Sequence, residues 1–191
     1  MLQVHSFTFN PFQENTYLLV NSEKQCWIID PGMYNNGEVE IVTKFITANA
    51  LIPQAIINTH THIDHILGVL ALQERYSIPF LIHEKDMPVL NGAAASAMMF
   101  GLPLPAVPQP AGYIPHNKPL QLGQDSVDVL LTPGHSPGSI SFYYQPGKWV
   151  ISGDVLFSGS IGRTDLPGGD YETLINSIRT SLLPLPDDTQ V

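Results

Sequence analysis

The 191-residue chain is long enough for one domain with a substantial core and too short for two ordinary domains. Hydrophobic residues make up 43% of it and charged residues 13%, which excludes a disordered protein. Its formal net charge of -9, with eight scattered lysines and arginines, argues against a nucleic-acid partner. The sequence shows neither a membrane-length apolar run nor the pattern of a signal peptide. With Cys26 as the single cysteine, these features predict a cytoplasmic protein without membrane partners.

Strand-like and helical segments alternate along the chain. The strand-like segments, rich in β-branched, aromatic and aliphatic residues, are ENTYLLV, QCWIID, PQAIIN, IPFLI, SVDVLL, SISFYY and KWVIS. Residues 37–51 place apolar side chains at helical intervals, and a second helix is predicted to begin near Asp64. A third helix is predicted over residues 171–182, with Asp170 as its N-cap. The alternation predicts an α/β fold, with one domain over residues 1–191.

One segment, from Asn91 to Tyr113, interrupts this alternation because it is rich in alanine, methionine and proline. Two interpretations are open. The segment could be an irregular surface insertion with one helical turn at AAASAMMF. Alternatively, it could be an apolar wall or lid beside a functional site, since methionine side chains adapt to varied partners.

Ligand-type side chains are concentrated just after the strand PQAIIN. Within six residues of NTHTHIDH the chain places His60, His62, Asp64 and His65. Two further candidates follow later strands, namely His135 in TPGHSPGS and Asp154 in SGDVLF. Each candidate lies at the carboxyl end of a strand, where sites in α/β proteins commonly form. Imidazole and carboxylate ligands together predict a centre for zinc, iron or manganese.

These motifs resemble those of the metallo-β-lactamase superfamily. The resemblance rests on THTHIDH, on His135 in TPGHSPGS and on Asp154 in SGDVLF. The later segment FSGSIGRTDLPGGDYETLINSI is similar to the short glyoxalase II-type, or hydroxyacylglutathione hydrolase-like, enzymes. The resemblance implies a four-layer αββα sandwich in which two sheets lie face to face and the metals bind at one edge.

The resemblance also implies how the ligands are shared between two metal ions, expected to be zinc, with iron or manganese possible. It assigns His60, His62 and His135 to the first metal, Asp64 and His65 to the second, and Asp154 to a bridge between them. Family members complete the second position with a histidine near the C-terminus. This chain stops at PDDTQV, so the resemblance predicts a domain that lacks its final strand and last ligand turn.

The implied reaction is hydrolysis of a small-molecule thioester such as S-lactoylglutathione, in which a metal-bound hydroxide attacks the acyl carbonyl. Asp64 and Asp154 are the predicted catalytic carboxylates. Arg163, in GRTD, is predicted to bind a substrate carboxylate, and the alternative is an internal ion pair with Asp165. The helical domain that holds glutathione in longer glyoxalase II enzymes has no counterpart in this chain, so another acyl thioester is an open possibility.

Three other functions remain open at this point. Persulfide dioxygenases of the same superfamily would use one iron on His60, His135 and Asp154. Lactones or other esters could replace the thioester, or the domain could be a non-catalytic metal-binding scaffold.

Smaller assignments concern residues outside the ligand set. Asp30 is predicted either to orient a metal ligand or to begin a turn with Pro31 and Gly32. Histidines His5 and His83 are predicted to be structural.

Overall fold

A mixed six-stranded sheet occupies the first half of the protein. In the computed structural model, which describes residues 1–191, its strands are β1 Gln3–Phe9, β2 Glu14–Val20, β3 Gln25–Ile29, β4 Ile52–Ile57, β5 Phe80–Ile82 and β6 Gly112–Tyr113. They lie side by side in sequence order. Strand β2 is antiparallel to both β1 and β3, and β3 to β6 are parallel.

A four-stranded antiparallel sheet forms from the second half, in the order β10-β9-β8-β7. Its strands are β7 Leu120–Leu122, β8 Asp125–Leu131, β9 Ile140–Tyr144 and β10 Trp149–Ile151. A short hairpin follows, made of β11 Leu156–Phe157 and β12 Ser160–Ile161. At the outer edge of β10, Trp149 forms a parallel bridge with Gln190. That residues 1–191 are one domain lacking its final strand stays a prediction.

Five α-helices accompany the sheets: α1 Asn36–Ala48, α2 Val69–Tyr76, α3 Met87–Asn91, α4 Ala93–Phe100 and α5 Tyr171–Ser177. The last continues as a π-helical turn over Ile178–Leu182. Asp170 caps α5 by accepting a hydrogen bond from the backbone N–H of Thr173, which confirms the predicted cap. No helix has the length and apolar character that crossing a membrane would require.

The predicted start of the second helix near Asp64 is wrong, because α2 begins at Val69. Residues 63–65 form only a short 3-10 turn. The side-chain amide of Asn58 donates to the carbonyl oxygen of His65 at 2.8 Å and so occupies an acceptor that a continuous helix would use. The side chains of Asp64 and His65 in this turn therefore lie in one group and are not spread around a helix.

Three apolar clusters separate four layers. The first joins the large sheet to the helices and includes Leu18, Ile28, Ile56, Val42, Leu72 and Ala97. The second lies between the sheets and includes Leu19, Trp27, Ile57, Val127, Val129 and Phe142. The third joins the small sheet to α5 and includes Tyr143, Val150, Leu174 and Ile178. Successive residues of a strand face opposite layers, as Leu18 and Leu19 do. The αββα sandwich is thus confirmed.

Candidate metal centre

Three histidine side chains from two loops converge at one edge of the sandwich. His60 and His62 follow β4, and His135 follows β8. Nε2 of His135 lies 2.7 Å from Nδ1 of His62 and 3.1 Å from Nε2 of His60. All three rings offer a nitrogen within 4.8 Å of the others. The structure therefore brings together the three histidines that the resemblance assigned to one metal.

Hydrogen bonds behind the rings show which nitrogens carry protons. Nδ1 of His135 lies 2.8 Å from the carbonyl oxygen of Arg163, which can only accept, so Nδ1 donates and Nε2 keeps its lone pair. The Thr59 hydroxyl donates to Asp30 and can therefore accept from Nδ1 of His60, 3.1 Å away. Nε2 of His60 then also presents a lone pair to His135. Two lone pairs at this separation repel unless a cation lies between them, so these residues fit a metal ion.

Burial keeps these imidazoles neutral. It is the main cause that lowers the pKa of His60 well below its ordinary value, with smaller contributions from neighbouring histidines. Burial and the nearby His135 and His65 lower the pKa of His62 to about 3. Burial likewise lowers the pKa of His135. Neutral imidazole is the form that binds a metal, so the three rings are ready ligands at neutral pH.

A second group, made of Asp64, His65 and Asp154, lies beside the three histidines. Nε2 of His65 is 3.6 Å from Oδ2 of Asp64 and 3.3 Å from Oδ1 of Asp154. The other oxygen of Asp154 is 3.7 Å from Nε2 of His135. Asp154 therefore touches both groups, in the position that the resemblance assigned to a bridging ligand.

The charges of this second group are coupled. Burial opposes protonation of His65, but the carboxylates of Asp64, Asp154 and Asp30 raise its pKa well above the ordinary value. Burial would raise the pKa of Asp154, but His65 and the neighbouring histidines lower it to about 2. The group therefore contains a protonated His65 beside the ionised carboxylate of Asp154 when no metal competes for it.

Asp30 contacts two parts of the centre. Its carboxylate accepts hydrogen bonds from the backbone N–H of Thr59 at 2.7 Å and from the Thr59 hydroxyl at 2.5 Å. Its Oδ2 is also 3.1 Å from Nδ1 of His65. The backbone of Asp30 is left-handed, with φ of 47°, a conformation that aspartate tolerates. These contacts support the prediction that Asp30 orients metal ligands.

Glu14 is a neighbour of the centre that sequence reasoning missed. It is buried, and its Oε1 lies 3.9 Å from Nδ1 of His65 without a hydrogen-bond partner. Burial raises the pKa of Glu14 well above its ordinary value. The one signal for it in the sequence is period two, because Glu14, Thr16 and Leu18 share the buried face of β2.

Asp86 is a second missed residue, and it joins the two ligand loops. Oδ2 accepts from the backbone N–H of Thr61 at 2.5 Å and from the Thr61 hydroxyl at 2.7 Å. Oδ1 accepts from the Ser136 hydroxyl at 2.6 Å and from the backbone N–H of Gly138 at 3.0 Å. Thr61 lies between His60 and His62, and Ser136 follows His135. One buried carboxylate thus sets the distance between the loops.

Arg163 lies on the loop behind the centre, and its side chain is exposed. Its guanidinium donates two hydrogen bonds of 2.7 Å to Asp165, so the structure contains the internal ion pair. An exposed pair of this kind contributes little stability. Its backbone carbonyl, not its side chain, contacts a ligand histidine. The substrate-binding role of Arg163 stays a prediction.

The remaining histidines lie outside the centre. His83 is buried, and its Nε2 lies 3.0 Å from Nδ1 of His116. The His5 ring packs against Phe45, with ring centroids 4.8 Å apart. These packing and hydrogen-bonding contacts agree with the structural roles predicted for His5 and His83.

A cavity of about 530 Å³ opens over the metal centre. His62, Asp64, His135 and Asp154 lie in its lining. Helices α3 and α4 form one of its walls. Part of the segment 91–113 therefore lies beside the centre. The single helical turn expected at AAASAMMF is wrong, because that stretch forms the whole of α4. The apolar-wall interpretation describes this part of the segment.

Metal binding should release protons unequally from the two groups. At pH 7 the three buried histidines are already neutral, so a metal that binds them should displace few protons. Metal binding to Asp64, His65 and Asp154 should displace about one proton, because His65 is held protonated. Titration calorimetry of the metal-free protein in buffers of different ionisation heat measures this number for each equivalent.

The His65→Gln variant provides the control for this measurement. It should lose the proton released with the second equivalent and keep the behaviour of the first. Near-zero release for both equivalents in the unaltered protein would contradict a protonated His65.

The sequence of this chain is similar to those of known proteins. The model of the metallo-beta-lactamase superfamily matches residues 9–191. The chain is 43% identical to the probable metallo-hydrolase YqgX of Bacillus subtilis, over 95% of this chain and 84% of the relative. It is 40% identical to the hydroxyacylglutathione hydrolase GloC of Haemophilus influenzae, over 93% and 82% of the respective chains.

Two solved structures are similar over nearly the whole chain. The BLEG-1 B3 metallo-beta-lactamase superposes with a TM-score of 0.88 at 39% identity, covering 98% of this chain and 88% of BLEG-1. The di-iron-bound form of TTHA1623 superposes with a TM-score of 0.84, also at 39% identity, covering 95% and 87% of the respective chains.

Proposed function

Because this chain belongs to the metallo-β-lactamase superfamily, whose relatives here include metallo-hydrolases, we propose that it hydrolyses a small acyl thioester such as S-lactoylglutathione. The observation that carries the proposal is the 40% identity to a hydroxyacylglutathione hydrolase over 93% of the chain. The convergent ligand side chains beneath an open cavity support it from the structural side.

The residues of the centre form two proposed metal positions. We propose that His60, His62 and His135 hold one metal ion, and that Asp64, His65 and Asp154 hold a second. A divalent cation in such a site acidifies water and polarises an acyl carbonyl. The metals are proposed to be zinc, with iron as the alternative that the di-iron TTHA1623 supports.

Asp64 and Asp154 are the proposed catalytic carboxylates, because both face the cavity. With its pKa lowered to about 2, Asp154 is ionised at neutral pH, which is the form that binds a metal. Apart from the ligand residues, the cavity lining has no lysine, cysteine or tyrosine that could act as a general acid. A thiolate needs less protonation on leaving than an alkoxide or an amine, so this lining favours a thioester.

The decisive experiment follows the loss of thioester absorbance when S-lactoylglutathione meets the metal-loaded protein. We expect hydrolysis that disappears when a chelator removes the metal and returns when metal is restored. Oxygen uptake with glutathione persulfide, measured on the iron-loaded form, would instead identify the dioxygenase alternative. A metal-replete protein that leaves every thioester intact would overturn the proposal.

A second candidate activity is β-lactam hydrolysis, which the 39% identity to BLEG-1 favours. The same centre can attack an amide carbonyl, but the leaving amine then needs a proton. Comparing kcat/KM for a chromogenic cephalosporin and for a thioester ranks the two activities. We expect the thioester to be the better substrate because the lining offers no separate acid.

The proposed substrate is a small molecule, and the proposed location is the cytoplasm, as the sequence predicted. Arg163 is proposed to contact the thiol part of the substrate from the rim of the cavity. Two of its guanidinium nitrogens already bind Asp165, which leaves the third for a ligand.

A further inference from the structure

The lining of the cavity above the metal centre combines a few charged side chains with a larger apolar surface. Charged side chains in its lining are limited to Asp64 and Asp154 at the centre and Arg163 at one rim. Another part of the lining, called the α4 wall here, consists of the apolar Phe12, Val89, Ala95, Met99 and Phe100, with Ser96 among them. A ligand that reaches from the centre to this wall meets apolar side chains.

The α4 wall is held in place from behind. Ala93 and Ala97, on the other face of α4, are buried in the core beneath the large sheet. Gly101 ends the helix in a left-handed conformation, with φ of 65°. From the loop between β1 and β2, the Phe12 ring packs edge-on against Phe100, with ring centroids 5.5 Å apart. The backbone of the wall is therefore anchored to the fold.

The cavity face of the wall is nevertheless open. Met99 is 77% exposed, Phe12 is 47% exposed and Phe100 is 38% exposed. Contiguous exposed apolar groups beside a site mark a surface that binds an apolar partner. Methionine suits such a surface because its flexible thioether adapts to ligands of varied shape. The wall has the composition of a binding surface for an uncharged group.

We propose that the α4 wall binds an apolar acyl group of the thioester substrate; this inference rests on the proposed thioester hydrolysis. A glutathione-like thiol carries carboxylates, which lose hydration without compensation against an apolar wall. The one cationic side chain in the lining is Arg163, which belongs to a different segment of the chain, after β12. The thiol part therefore extends towards Arg163, and the acyl part extends towards α4. The single methyl group of a lactoyl substrate covers little of this wall, so longer or ring-bearing acyl groups fit better.

The test compares glutathione thioesters with acetyl, lactoyl, butyryl and hexanoyl groups on the metal-loaded enzyme. Burying one methylene group completely raises the affinity by up to about fourfold. At an open wall we expect about half of that free energy, which corresponds to about twofold for each methylene. Hexanoyl has four more methylenes than acetyl, so we expect kcat/KM to rise about sixteenfold from acetyl to hexanoyl. The Met99→Ala variant should lower the hexanoyl value about fivefold and leave the acetyl value within about twofold.

The matched control is the adjacent residue of the same helix. Met98 is 86% exposed but does not line the cavity, so Met98→Ala should leave the whole series unchanged. Met99→Leu keeps an apolar side chain and should restore the preference for hexanoyl. A flat series, or a Met99→Ala loss that is equal for all acyl groups, would overturn the inference.

Binding distinguishes failure of this inference from failure of the proposed function. S-hexylglutathione and S-methylglutathione cannot be hydrolysed, and titration calorimetry measures their affinities without turnover. If no thioester is cleaved, the proposed function fails. Tighter binding of the hexyl compound that Met99→Ala removes would still support the apolar subsite, whereas equal binding of the two compounds would overturn it.

Discussion

The His62→Ala variant should lose at least about 10³-fold of the thioester hydrolysis, because the first metal group is left with two imidazoles. A correctly held metal contributes several kcal/mol to stabilising a charged transition state, and each factor of ten corresponds to about 1.4 kcal/mol. Nδ1 of His62 lies 2.7 Å from Nε2 of His135, so its removal opens the ligand set at its centre. The expected result is loss of bound metal and of activity together.

This loss should not reflect unfolding. His62 is only partly buried and lies on a loop, so truncating its side chain leaves the apolar clusters intact. His116→Ala is the control for removing a histidine outside the centre; it loses the contact with Nε2 of His83 but no group of the metal centre. Metal content by elemental analysis, melting temperature and hydrolysis rate are measured on both variants. Full activity of His62→Ala with normal metal content would refute the ligand assignment.

The Asp86→Asn variant should destabilise the protein by about 3 kcal/mol although the two side chains have nearly the same shape. Each carboxylate oxygen of Asp86 accepts one backbone N–H, that of Thr61 on Oδ2 and that of Gly138 on Oδ1. Asparagine has one acceptor oxygen, so either orientation sets its amide N–H₂ against a buried backbone donor. A hydroxyl could rotate to adapt, but a backbone N–H cannot.

In a domain of this size, a loss of about 3 kcal/mol should lower the melting temperature by about 6–12 °C. Glu84→Gln is the matched control, because it makes the same chemical change on an exposed side chain two residues earlier. Metal affinity should also fall, since Asp86 spans the loops that carry His60 and His135. Equal melting temperatures for the two variants would show that Asp86 does not join the loops.

Local pattern could predict which ligand-type side chains the structure brings together, because the fold delivers them in one recurring way. His60, His135 and Asp154 each follow the carboxyl end of a strand, and the two sheets end at the same edge. The strands themselves follow from runs of apolar residues. Their assembly into a four-layer sandwich came from the family resemblance, since alternation of strands and helices is compatible with several α/β architectures.

The supporting residues could not be predicted, because their roles depend on contacts between distant parts of the chain. Asp86 binds Thr61 and Ser136, which are 25 and 50 residues away. Glu14 reaches His65 from strand β2, 51 residues earlier in the chain. The side-chain amide of Asn58 donates to the carbonyl of His65, just before α2 begins. Such pairings arise from tertiary packing and leave no spacing rule in the sequence.

The hydrogen bond from His135 to the carbonyl oxygen of Arg163 has an evolutionary consequence. Every amino acid has a backbone carbonyl, so the side chain at position 163 can change while this bond is kept. The α4 wall, likewise, lines the cavity with side chains that are not part of the metal centre. Single substitutions at position 163 or in the α4 wall can therefore change the substrate preference, while the residues of the metal centre stay the same.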